Sequence, residues 1–183
     1  AQAKVHRENF VSMAKQKVGS PYVLGAVGPN TFDCSGLIYF CAREAANKQL
    51  PRTAKALYSY CRIVKDSDKE VGDLLFFKTT ASGNISHVGI YIGNSQFISA
   101  ISDGPNTGVI ISSLKQDYWK GKYVGAGQFL TSDGLRDSNC KNLIYCEDAR
   151  FLDFGHNGEE KECYWRDCSF VAGMPKLEAA IFS

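Results

Sequence analysis

Histidine is scarce in this chain of 183 residues, with only His6, His87 and His156 available for acid–base or metal chemistry. No run of about 18 or more apolar residues occurs, which excludes a membrane-spanning helix in the sequence given. A Gly-rich phosphate loop, an internal repeat and a low-complexity stretch are all missing. The lysines are scattered and the net charge is only +2, so nucleic acid is a poor partner. No secretory leader is visible, and the Ala1-Gln2 start fits a processed mature terminus as well as a trimmed chain. At 44% hydrophobic residues, the length supports one full core and a small appendage.

Against these absences stands Phe32-Asp33-Cys34-Ser35-Gly36-Leu37, which sets a thiol where a turn becomes the first turn of a helix. Asp33 is a candidate cap, and Leu37, Ile38, Cys41 and Ala45 recur at helical spacing behind it. The NH groups of a helix start have no intrahelical partners and carry the positive end of the macrodipole. A thiolate there is expected to be favoured, with a pKa below the ordinary value of about 8.5.

A nucleophilic thiol needs a base, and His87 is the best placed of the three histidines. It opens Ser86-His87-Val88-Gly89-Ile90-Tyr91-Ile92-Gly93, whose alternation puts Val88, Ile90 and Ile92 on one face and His87, Gly89 and Tyr91 on the other. Such a strand would aim a fixed imidazole at Cys34. His6 lies in a polar N-terminal segment and His156 in the loop-like Gly155-His156-Asn157-Gly158, where solvated or turn histidines are expected.

Periodicity predicts helices over 7–18, 34–46 and 53–61, followed by strands near 73–78, 86–92, 96–102, 108–112 and 123–130. Helices followed by strands are an α+β order, with an antiparallel sheet packed on the nucleophile helix.

These residues resemble the NlpC-type cell-wall cysteine peptidases, a compact bacterial branch of the papain-like fold. The likeness runs in order along the chain: Gly19-Ser20-Pro21-Tyr22-Val23-Leu24-Gly25, Asp33-Cys34-Ser35-Gly36, Leu50-Pro51-Arg52-Thr53-Ala54, Gly72-Asp73-Leu74-Leu75-Phe76-Phe77, the His87 strand, then Tyr118-Trp119 and Val124-Gly125-Ala126. It covers about residues 5 to 130. The resemblance implies N-terminal helices on a five- to six-stranded antiparallel sheet, and hydrolysis of amide bonds in peptidoglycan stem peptides, between D-glutamate and the following diamino acid. It implies no cofactor and no metal. By the same resemblance Cys34 is the nucleophile, His87 the general base and then acid, and the backbone NH of Cys34 part of the oxyanion site. Tyr22, Asp33 and Ser35 match positions lining the cleft, where a tyrosine hydroxyl and an aspartate carboxylate receive the free amine of a short muropeptide. Asp33 is also simply a helix cap. A secreted, periplasmic or envelope location follows from that substrate.

Departures from the family pattern fall near the cleft. Twelve residues after His87 the family has His, Asn or Gln, and this chain has Ser99. If the two strands form a hairpin around Asn94, Ser99 shares the His87 face one pair along and is the candidate third catalytic residue, its rival reading an ordinary strand serine. Its hydroxyl can accept the imidazole NH but is short and adds no charge. Gln96 and Asp103 are the alternatives if the register slips. Leu24 stands for the family's Trp, Ala26 for a second Gly, and Gly127-Gln128 where the family often carries an arginine. Two other readings follow: a muropeptide-binding module with weak or no chemistry, and an amidase or acyltransferase using the same pair.

Seven cysteines leave six after the nucleophile, so three disulfides are the simplest count for an exported protein. Cys41 with Cys61 is one expected pair, and Cys140, Cys146, Cys163 and Cys168 supply two more. A zinc site is the rival for the late four, although their Cys-x5-Cys and Cys-x4-Cys spacings are loose. Charge marks the same boundary: residues 1–130 hold 15 Lys and Arg against 9 Asp and Glu, and 131–183 hold 6 against 10. Two regions are therefore expected, 1–130 catalytic and 131–183 a cysteine-rich extension packed on it. In that extension Tyr164 and Trp165 are candidates for a sugar-stacking surface or a small local core.

Overall fold

The computed structural model describes residues 2–130 and three short strands further on, at 151–154, 160–163 and 168–169. Helix α1 spans Gln2–Gln16, α2 Cys34–Ala46 and α3 Ala54–Tyr60. Strands β1 (Arg62–Val64), β2 (Leu74–Phe77), β3 (His87–Gly93), β4 (Gln96–Ile101) and β5 (Gly108–Ser113) follow, then the short helix α4 (Asp117–Lys122) and β6 (Tyr123–Gln128). All pairings are antiparallel, in the order β1-β6-β2-β3-β4-β5. The α+β order and six-stranded sheet are those the sequence led us to expect. β1 and α4 are additions to the sequence reading.

The sheet is covered on both faces in its middle, and the four residues of β2 divide between them. Leu75 and Phe77 join Phe97, Trp119 and Ala126 in one buried cluster. Phe76 turns the other way, with its ring 5.1 Å from that of Tyr58 on α3. Helix α2 lies against β3 and β4 and buries Leu37, Ile38, Cys41 and Ala42. That apolar stripe fixes the height and direction of α2, and so the place of Cys34 at its first position.

The expected disulfide between Cys41 and Cys61 is not formed: both carry thiols. Their surroundings explain it. Cys41 is buried among core side chains on the side of α2 that senses Lys17, and burial pushes its thiol up to about 12. Cys61 caps the end of α3, and its Cβ lies 2.7 Å from where a side chain on Gly127 of β6 would begin.

Residues Lys4–Gln128 form one compact unit and β7 (Phe151–Phe154), β8 (Glu160–Cys163) and β9 (Cys168–Ser169) belong to a second. These three make their own antiparallel sheet, in which Cys163 and Cys168 are backbone partners. Cys140, Cys146, His156, Tyr164 and Trp165 lie outside the described residues. Among the described residues no helix is long and apolar enough to cross a membrane.

Candidate active site

Asp33 builds the turn that presents the thiol. Its backbone is extended, and its side chain accepts from the Gly36 NH at 2.7 Å, as a helix N-cap does. The other carboxylate oxygen accepts from the Gly25 NH at 2.8 Å, which ties the preceding loop to the same cap. Gly36 makes this closeness possible, because a Cβ there would sit 2.0 Å from the Ala26 carbonyl oxygen and 2.9 Å from Asp33 Oδ1. No larger residue fits that turn.

Arg52, one residue before the α3 cap Thr53, closes on Asp33 as a fork. Its Nη1 donates to Oδ1 at 2.9 Å and to Ser35 Oγ at 2.7 Å, and its Nη2 donates to Oδ2 at 2.6 Å. Burial works to raise the Asp33 carboxyl, yet Arg52 and the Gly36 and Gly25 NH groups outweigh it and hold the group below the usual carboxylate range. With two NH groups and a bidentate guanidinium, Asp33 has filled about four acceptor positions. Arg52 was present in a matched motif but had no role in the sequence reading. Nothing in its neighbours along the chain names its partner, 19 residues earlier.

Cys34 itself stands at the first position of α2, half-buried, with its Sγ 4.0 Å from the Ser86 carbonyl oxygen. The Val88 NH also reaches the sulfur. The thiol therefore lies against the backbone on both sides of His87, which brings α2 and the start of β3 together at one cleft. The thiol does not have the lowered pKa the helix start led us to expect. Burial, then the Asp33 carboxylate, push it up, and the NH groups of Val88, Ser35 and Cys34 itself only partly pull it back. Tyr22 borders the same cluster, its phenol raised by burial and by the nearby Cys34 and Asp33.

His87 is 8% exposed, and burial alone pushes its pKa down to about 4. Both partners are thus neutral near pH 7. Its ring stacks on Trp119, centroids 5.1 Å apart and planes 26° from parallel, and tilts against Phe77 at 5.7 Å. Register pairs Ile90 with Ile98 and Tyr91 with Phe97, which sets Ser99 across from Gly89 on the His87 face. A Cβ on Gly89 would lie 2.7 Å from Phe97 and 3.2 Å from Ser99, so only glycine leaves room there. The expected hydrogen bond from the His87 imidazole NH to Ser99 Oγ is not made. His87 Nε2 and Ser99 Oγ are both buried with no hydrogen-bond partner among the described residues. Gln96 is exposed on the other side of β4, and Asp103 is exposed and accepts from the Gly104 NH in a turn. Ser99 is the one of the three brought to the imidazole side.

Leu24 is 82% exposed in the loop held by Asp33, an apolar side chain offered at the lip. A separate depression of about 350 Å³ reaches Lys69, Lys115, Lys120 and Tyr123. Neither Cys34 nor His87 lines it.

Residues 19–128 match the model of the NlpC/P60 family. The murein DD-endopeptidase MepH of Escherichia coli is 40% identical over 141 residues, which are 73% of this chain and 51% of that protein. The gamma-DL-glutamyl hydrolase of Bacillus subtilis is 38% identical over 120 residues, 65% of this chain and 28% of that protein. The crystal structure of a lipoprotein-like NLP/P60 protein from Staphylococcus aureus superposes with a TM-score of 0.60 at 31% identity, covering 69% of this chain and 42% of the other. The chain spans about half of the first of these curated relatives and under a third of the second.

Proposed function

Because this chain belongs to the NlpC/P60 family, we propose that it is a cysteine endopeptidase that hydrolyses amide bonds in peptidoglycan stem peptides at the Cys34 cleft. The observation that carries this reading is the seating of the Cys34 sulfur against the Ser86 carbonyl and the Val88 NH, the two neighbours of His87. An extracytoplasmic, wall-facing location follows from the substrate.

Cys34 is the nucleophile and neutral His87 the base. With Nε2 sealed in the interior, Nδ1 is the nitrogen left to exchange a proton with the cleft. The imidazole takes the thiol proton as Sγ attacks the scissile carbonyl carbon, so the sulfur need not be ionised beforehand. The backbone NH of Cys34, at the first position of α2, supports the oxyanion. His87 then gives its proton to the leaving amine, and water repeats the sequence on the thioester. Ser99 is the polar group available to Nε2 once the imidazolium forms and the hydroxyl turns to it. No step needs a cofactor or metal.

Tyr22, Asp33 and Ser35 form the wall that receives the free amine of a short muropeptide. Asp33 already serves Gly25, Gly36 and Arg52. It therefore attracts the amine through its charge, while the Tyr22 hydroxyl makes the hydrogen bond. The bond proposed is the one between D-glutamate and the diamino acid.

A muropeptide with a free N-terminal amine tests this by mass analysis of its products. Cleavage after D-glutamate is expected, and N-acetylation of the substrate should lower kcat/KM by about 10-fold or more through loss of a charge-assisted contact. Equal cleavage of the acetylated peptide would remove the amine-binding role of Tyr22 and Asp33. Binding without cleavage would support the weak-chemistry reading, which the unmade Ser99 hydrogen bond favours. Ligated products would support acyl transfer.

A further inference from the structure

The catalytic imidazole is held in place without a side-chain hydrogen bond at its buried nitrogen. A histidine ring rotates about χ2 in a broad, two-fold well, so an unbonded Nε2 leaves its plane free unless packing fixes it. Packing does so here. One face of the ring meets the indole of Trp119 at 5.1 Å and 26°, and Phe77 closes the side at 5.7 Å and 53°. Trp119 is itself locked by edge contacts: Phe77 at 5.0 Å and 65°, Phe97 at 5.2 Å and 90°, and Tyr118 at 4.9 Å and 86°. Edge contacts on the indole leave a flat face for the imidazole. Trp119 is 7% exposed and comes from α4, a six-residue helix between β5 and β6.

We propose that Trp119 is a positioning residue for His87: its indole face, in place of a hydrogen bond from the third catalytic position, sets the plane of the imidazole and supports the cation formed when the ring takes the Cys34 proton. The inference rests on His87 being the base of the proposed reaction. An aromatic face attracts a cation through its quadrupole, while its bulk keeps water off the neutral ring. The elements packed around His87 bring few other groups that titrate. Cys34 comes from α2, Phe77 from β2 and Ser99 from β4. Asp33 and Arg52 lie beside the thiol. On α4, Asp117 is exposed, Lys120 faces the separate depression and Lys122 sits over the Tyr118 ring. No charged neighbour contributes to the depressed His87 pKa.

Steady-state kinetics across pH on Trp119→Ala and Trp119→Phe test this in the full chain. For Trp119→Ala, kcat should fall by about 100-fold, the scale of a misplaced reacting group, with KM changed less than about 2-fold. Water admitted to the ring should outweigh the lost attraction of the indole, moving the acid limb of kcat/KM up from about 4 toward the ordinary histidine value of 6.5. Trp119→Phe should recover most of kcat. A merely structural role would lower the amount of folded enzyme and leave the limb where it was.

A second measurement needs no substrate. In a Trp165→Phe background Trp119 is the sole indole, and a protonated imidazole quenches an indole on which it stacks. Its fluorescence should fall with a midpoint near pH 4, and this titration should vanish in Trp165→Phe/His87→Gln. Trp119 fluorescence indifferent to His87, or Trp119→Ala with unchanged kcat and pH limb, overturns the proposal. If Trp119→Ala does not fold, the fluorescence titration and Trp119→Phe decide. If the enzyme cuts no muropeptide, the fluorescence alone decides, so failure of the activity and failure of the stack are told apart.

Discussion

Cys34→Ala is expected to abolish muropeptide hydrolysis, lowering kcat by about 10⁴-fold or more, and to leave the fold intact. The size follows from covalent catalysis: without the thiol no acyl intermediate forms, and only oxyanion stabilisation and binding remain. The fold should survive because the α2 cap is made by Asp33 through Gly36 and Gly25, not by the sulfur. Alanine is also the best helix former for that first position. Cys41 and Cys61 cannot substitute, since both are buried in the core. Residual hydrolysis above about 1% of wild type, with Cys34→Ala folded by circular dichroism, would move the nucleophile elsewhere.

His87→Gln is expected to cost about 10²- to 10⁴-fold in kcat/KM, the range for loss of a general base. It should also remove a pH dependence of stability. In the unfolded chain this histidine binds a proton near its ordinary 6.5, and in the folded protein only near 4, because burial disfavours the imidazolium. The unfolded state therefore holds more protons between these values. Stability contributed by neutral His87 is full above about 6.5 and falls as pH drops toward 4, by roughly 3 kcal/mol over that window. Denaturant melts of wild type and His87→Gln at pH 7 and pH 4.5 check this. The wild type should weaken more than the variant on acidification; parallel curves would mean that His87 is not held neutral by burial.

The start of α2 was legible because Asp33, Cys34 and the apolar spacing behind them are local signals. The two faces of β3 were legible because alternation is a property of the strand alone. Ser99 lies on the His87 face because the register shifts between Tyr91 and Gly93 and then pairs Tyr91 with Phe97 and Ile90 with Ile98. What escaped depends on the assembled fold. β1 is three residues long at a sheet edge, too short for a periodic pattern. α4 is a six-residue helix without a side-chain cap and with Gly121 inside it, so neither spacing nor punctuation marks it. Arg52 found Asp33 only because α3 begins beside the cap of α2. The direction of the Cys34 pKa was misread for a related reason: the helix start is visible in sequence, but the burial and the Asp33 charge that outweigh it exist only once the cleft closes. Cys41 and Cys61 were paired on the expectation that two helices would face each other, whereas the core places them against different neighbours.

The alkylation rate of Cys34 as a function of pH, read by mass spectrometry on the intact protein, tests most directly whether the thiol and the imidazole meet as a neutral pair. Slow reaction at pH 5 to 7, rising through a single titration above the ordinary thiol value, is the result this account predicts. A fast plateau reaching down to about pH 4, and lost in His87→Gln, would reveal a thiolate–imidazolium pair already formed in the resting enzyme and would contradict it.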